Sequence, residues 1–195
     1  MLKAIVKLCV LVAVLWFGVL PPDIVHAQMR MGPLSKAAIQ NVPILRKTKT
    51  CEGCDLAGAA LQSYDLREAN LKNANLKNST IKLSDLTNAN LEGVILESSR
   101  IEETTLTGAN FAKADLAVAN LNGCDFSGVN LQDANLRAAT LNKTNFINAD
   151  LRGANLRAAN FQGATLDGAN LDGANLCNTV MPNGKLSFRD CNPAK

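Results

Sequence analysis

Residues 129–158 read VNLQD ANLRA ATLNK TNFIN ADLRG ANLRA, six groups of five whose third member is always Leu or Phe. Followed outward in both directions, the beat runs from Leu56 to Leu176 without a gap, which makes 25 consecutive units. We call the large apolar position i. Two places earlier, at i−2, the residue is small (Ala69, Ala74, Ala109, Ala114, Ala169, Ala174), and Tyr64 is the one large exception. Asn, Asp or Thr occupies i−1 in most units, and the charges and glycines fall on the remaining two places.

A five-residue period suits neither regular element. On an α-helix five residues advance about 500°, so the Leu series would wander round every side. On one continuous strand an odd period throws successive Leu to opposite faces. A chain that turns a corner once per unit can point every i and i−2 side chain into one interior. The pattern therefore predicts a solenoid whose coils stack at roughly 4.8 Å through backbone hydrogen bonds. Asn, Asp and Gly near the corners tolerate turn geometry.

Units such as Ala-Asn-Leu-Arg-Ala at 154–158, Ala-Asp-Leu-Arg-Gly at 149–153 and Ala-Asn-Leu-Asp-Gly at 169–173 resemble the A(D/N)LXX signature of the pentapeptide-repeat proteins. The resemblance spans about two thirds of the chain. It implies an all-β fold, a right-handed quadrilateral parallel β-helix with short terminal caps, four units per coil and a little over six coils. In that register Leu56, Leu76, Leu96, Leu116, Leu136, Leu156 and Leu176 form one core ladder and Phe126 stacks on Phe146. It also sets Lys72, Lys77 and Lys82 beside Glu92, Glu97 and Glu102. A coil of 15 residues would instead stack Phe111 on Phe126 and Phe146 on Phe161, and would also set Lys77 beside Glu92. The charge and aromatic registers alone leave both coil sizes open.

The flanks read differently. Residues 1–27 have the form of a signal peptide: Lys3 and Lys7, the apolar run Leu8 to Leu20, and a small-residue cleavage site ending at Ala27. The run is about 13 residues, short for a membrane span of roughly 20; retention as an N-terminal anchor is the alternative. Residues 28–50 lack the beat and read as an N-terminal cap, with a turn or two of helix over Ser35 to Asn41 stopped by Pro43. Its Arg46, Lys47 and Lys49 form a basic cluster. Residues 51–178 hold the repeat, and 179–195 form a C-terminal cap tail.

Charge and composition narrow the function. Residues 54–178 carry 14 acidic and 10 basic side chains, whereas 28–53 sum to +4 and 179–195 to +2. Quinolone-resistance members of the family act as DNA mimics, which requires a strongly acidic surface. The balance here and the export signal disfavour that reading. His26 is the only histidine and leaves with the signal, so the mature chain lacks the usual general base and the commonest metal ligand. Asp115, Asp125 and Asp150 recur with the repeat and read as corner residues. No catalytic residue, metal site or cofactor is expected. The expected partner is another protein, with no nucleic acid, no membrane after signal cleavage, and a monomer or weak homodimer as the unit. The CxGCDLxGA sequence from Cys51 and the leader resemble the members that cyanobacteria export to periplasm or thylakoid lumen.

Cysteines complete the reading. Cys9 lies in the signal; Cys51, Cys54, Cys124, Cys177 and Cys191 remain. Cys54 and Cys124 fall at i−2, where Cys serves as a small hydrophobe. Cys51 falls at i, and the CxxC it makes with Cys54 reads as two core thiols or a local bridge, with a thiol/disulfide redox module as the alternative. Cys177 falls at i+1, facing outward, and Cys191 follows the Pro182-Asn183-Gly184 turn. In an oxidising compartment the pair closes a 15-residue loop worth about 3 kcal/mol. Cys124 is left as the odd, inert thiol. Tyr64 at i−2, and Ile95 and Arg100 at i−1, depart from the repeat and mark places for a bulge or a recognition surface.

Overall fold

Most five-residue units in the computed structural model are closed by a hydrogen-bonded β-turn, and the units of Leu61, Ile81 and Ile101 form short strands instead. The N–H of i+3 donates to the carbonyl of i, as from Ala59 to Leu56 at 3.0 Å and from Ala134 to Leu131 at 3.1 Å. The i+2 residue takes a positive φ in all 25 units, Gly or not. A positive φ at the third residue of such a turn is the type II pattern. The corner is thus set by i+2, while the Asn or Asp at i−1 has a different task. Its side-chain oxygen accepts the N–H of i+1, as Asn75 does from Lys77 at 3.2 Å and Asp125 from Ser127 at 3.0 Å.

The structure describes residues 35–191; the signal reading over 1–27, the first part of the N-terminal cap segment and the last four residues of the tail lie outside them. Within that span each repeat bridge joins residues one 20-residue step apart in parallel, from Thr50↔Asn70 to Asn160↔Val180. Where three residues pair in succession the bridges lengthen into β1 (Ala60–Gln62), β2 (Thr80–Lys82) and β3 (Arg100–Glu102), a parallel sheet in the order β1-β2-β3. Its register pairs Leu61 with Ile81 and Ile81 with Ile101. Four units therefore make one coil of a β-solenoid, and the 15-residue alternative is excluded. The ambiguity in the sequence has a physical origin. Phe111 and Phe126 also touch, at 5.7 Å between centroids, as diagonal neighbours in the same core that stacks Phe126 on Phe146 at 5.3 Å.

The interior is dry and apolar. Leu56, Leu76, Leu96, Leu116, Leu136 and Leu156 are fully buried, as are Phe111, Phe126 and Phe146, and the small i−2 residues close the gaps between them. Burying such side chains is worth about 1.5–3 kcal/mol each. Two threonines at i−2 bond inward: Thr144 donates to the Leu121 carbonyl at 3.0 Å and Thr179 to that of Leu156. Leu166 and Leu171 depart from the pattern, being half-buried, because they lie in the last coil with no further coil above them.

Both ends carry caps. The N-terminal one is α1 (Lys36–Thr48), opened by Ser35, whose hydroxyl accepts the Ala38 N–H at 2.9 Å, and ended by Lys49 at φ 54°. It runs through Pro43, contrary to the sequence expectation of a stop there. Pro43 is exposed, so the carbonyl it leaves unbonded, that of exposed Ile39, faces water, while Ala38 and Leu45 bury the opposite side against the first coil. At the other end β4 (Thr179–Val180) and β5 (Leu186–Ser187) pair antiparallel as a hairpin that leads the tail back to Cys191.

Candidate functional site

Cysteine pairs sit at the two ends of the solenoid. Cys51 and Cys54, three residues apart in the first turn of the repeat, are joined with Cα atoms 5.3 Å apart; Cys51 is buried and Cys54 half-buried. Cys177 and Cys191 are joined with Cα atoms 4.7 Å apart. Cys177 does not face outward as its i+1 position implies: the tail folds over it and leaves it buried. Around that closure Arg189 donates to the carbonyls of Leu171 and Ala174 at 3.1 and 3.2 Å, and the Asp190 carboxylate accepts the Leu176 N–H. Cys124 is a free thiol inside the core, donating to the Ile101 carbonyl at 3.2 Å, and burial pushes its pKa up to about 12. A thiol so placed is not ionised at neutral pH and is a poor nucleophile.

The first departure from the repeat organises the N-terminal end. Tyr64 is too large for i−2 and sits half-buried beside α1, with Arg46 over its ring at 5.8 Å. Its N–H donates to the hydroxyl of Ser84 one coil on. Beside it Asp65 gathers Lys49 at 3.0 Å and Arg67 at 2.8 Å, and Arg67 reaches Asp85 at 3.8 Å. The Arg67 guanidinium, then Lys49, hold the Asp65 carboxyl well below the usual carboxylate range. Arg46, Lys49, Gln62, Ser63, Tyr64 and Asp65 line a cleft of about 650 Å³. Its cations are engaged with the ring and with Asp65, so the cleft reads as the seam that fastens α1 to the first coil.

Along the solenoid the outward side chains form columns one coil apart. Lys72 meets Glu92 at 3.1 Å, Lys77 meets Glu97 at 2.7 Å, and Lys82 meets Glu102 at 3.5 Å. Carboxylates at i−1 are tied into the turns. Asp85 is lowered by the hydroxyl and N–H of Thr87, and Asp150 by Arg152. Burial pushes the Asp125 pKa up, yet hydrogen bonds from Ser127, Thr107 and Asn145 outweigh it and the net shift is downward. Asp115 is likewise bonded to the Ala117 N–H and to Asn135. These acids are thus held by local bonds, which is the arrangement of corner and ladder residues. Arg100 pairs with Glu102 at 3.4 Å, and Ile95 stands exposed. Among the described residues there is no group of three His, Cys, Asp or Glu able to hold a metal ion, and no helix long and apolar enough to cross a membrane. Sequence reading missed the αL column at i+2, although the glycines recurring there were its signal.

No curated protein matches the chain. A pentapeptide repeat protein from the cyanobacterium Cyanothece is 25% identical over 71% of this chain and 94% of that one, with a TM-score of 0.27. One from the thylakoid lumen of Arabidopsis thaliana is 25% identical over 66% and 74%, with a TM-score of 0.28. QnrB1, a plasmid-mediated fluoroquinolone resistance protein, is 20% identical over 64% and 78%, with a TM-score of 0.35. With TM-scores this low, the assignment rests on sequence. Residues 54–93 match the family described as pentapeptide repeats (8 copies), and residues 94–176 match the pentapeptide repeat region. Together the two matches cover every turn from Cys54 to Leu176, and the chain belongs to the pentapeptide-repeat family.

Proposed function

We propose that this chain is an exported scaffold that binds other proteins along a right-handed, four-sided rod and catalyses no reaction. One observation carries the reading: the core consumes i and i−2, and, save for Cys177 under the tail, the i+1 and i+2 side chains stand outward in columns of fixed register. Such a rod presents a patterned outer surface on a backbone that has little freedom to rearrange, which suits recognition of a partner. The leader at 1–27 supports export to periplasm or thylakoid lumen, and the modest charge of the repeat sets it apart from a DNA mimic. The end closures, Cys51 with Cys54 and Cys177 with Cys191, are structural staples in this account, and the unit is a monomer or weak homodimer without nucleic acid or membrane contact after processing.

Affinity capture from the exported fraction tests the reading. The expected result is a protein held in fixed ratio to the chain and released by substitutions at i+1 positions. Rapid labelling of Cys51 in the folded protein, with turnover of a disulfide substrate, would assign a redox role instead. N-terminal sequencing of the exported protein is expected to begin at Gln28; a chain beginning at Met1 would overturn cleavage.

A further inference from the structure

In the first coils the outward charges meet opposite charges, as Lys77 does with Glu97. The same column continues through Ala117 to Arg137 and Arg157, and there the rule is broken. The Ala138 N–H donates to the Arg157 carbonyl at 2.9 Å, which sets the two arginines on neighbouring coils. Both are exposed, and among the described residues no carboxylate forms an ion pair with either. Like charges facing one another across a ladder destabilise it.

A second rule is broken beside the first. The neighbouring corner column runs Asn78, Ser98, Val118, Ala138, Ala158, Asn178. Its three middle members hold φ of 60°, 56° and 59°, a region that suits Gly and Asn and that a β-branched residue rarely enters. Val118 is 55% exposed, so core packing does not offset the strain. The Val118 N–H donates to the Arg137 carbonyl at 2.9 Å, so the apolar corner and the arginine column adjoin.

The unpaired arginines and the exposed Val118 beside them form one patch of uncompensated positive charge with apolar surface next to it. Resting on the scaffold reading, we infer that Arg137 and Arg157, with Ala117, Val118, Ala138 and Ala158, dock an acidic segment of a partner protein. Carboxylates of the partner neutralise the guanidinium pair, and an apolar side chain lies along the Val118 corner. A polyphosphate backbone would leave that apolar corner unused.

The test uses the isotope-labelled full chain and a ten-residue synthetic peptide with two Glu flanking a Leu, compared with its Gln counterpart and with inorganic phosphate. The Glu peptide is expected to shift the amides of residues 117, 118, 137, 138, 157 and 158. R137E/R157E should weaken it at least tenfold. Val118→Asn should raise the thermal midpoint while weakening the peptide at least threefold, a split that a merely structural residue would not give. If the charge reversal fails to fold, R137Q/R157Q with a salt titration replaces it. Equal affinity for phosphate or the Gln peptide, no binding at millimolar peptide, or a stabilised Val118→Asn with unchanged affinity would overturn the patch. Binding that maps to another column would overturn it too, while leaving the scaffold reading standing.

Discussion

Replacing Phe146 with Ala removes a fully buried ring that contacts Phe126 at 5.3 Å and Phe161 at 5.5 Å between centroids. Truncation of a buried Phe costs about 3–5 kcal/mol, because the emptied space collapses only in part. Coils above and below are tied by bonds such as Phe146 N–H to Thr165 at 2.8 Å, which limits that collapse and favours the upper end of the range. At about 2–4 °C per kcal/mol for a chain of this size, the thermal midpoint should fall by ~10 °C or more. Phe188→Ala is the matched control: the residue type is the same, but the ring is 67% exposed, and its loss should cost no more than about 0.5 kcal/mol. Phe146→Leu keeps an apolar side chain in the core and removes the ring contacts, worth roughly 0.5–1.5 kcal/mol each, together with a smaller packing loss than Ala. Urea midpoints read by far-ultraviolet circular dichroism would be compared at equal protein concentration. Equal midpoints for Phe146→Ala and Phe188→Ala would refute the inward assignment of the five-residue beat.

Three further outcomes follow from the geometry. Cys177→Ser should lower stability by about 3 kcal/mol through loss of a 15-residue loop closure, with alkylation and mass spectrometry on the parent as the check; two free thiols there would refute the staple. Gly153→Ala should cost more than Gly123→Ala, since both hold φ 68° but only at Gly153 would the new Cβ strike the Asp133 side chain; the common part, roughly 1–2 kcal/mol, reports the left-handed corner. Asp65, Asp85, Asp125 and Asp150 all have folded pKa values below the ordinary one. Their contribution is present above the unfolded value near about 4 and is lost as pH falls through the folded values. Urea midpoints should therefore be flat from about pH 5 upward and decline below about pH 4; a midpoint unchanged at about pH 2 would refute it.

The buried half of the molecule was legible because burial imposes one requirement on every unit. Leu at i and Ala at i−2 repeat since each fills the same space, so the solenoid could be read from Leu56 to Leu176 directly. Coil length was less so: Phe111, Phe126, Phe146 and Phe161 touch both along columns and diagonally, so two registers put aromatic rings together. The corner at i+2 escaped notice because Glu68, Lys113 and Val118 share it with glycines, and tertiary bonding overrides their backbone preference. Pro43 misled for a related reason, its exposed side costing α1 little. Nothing periodic announces Cys177: its burial depends on a tail whose path is set by β4, β5 and Arg189, all beyond the repeat.

The same left-handed corner in every unit gives the family of possible relatives of this chain an unusual freedom. Because any unit satisfies the same interior place, inserting or removing one unit leaves the core chemistry intact yet moves every later outward residue to the adjacent column. Arg137 would then no longer follow Ala117 and Glu97, and its present neighbours would scatter round the rod. Changes in length by whole coils preserve the surface pattern, whereas changes by single units rewrite it, so chain length itself is a determinant of what such a rod can recognise.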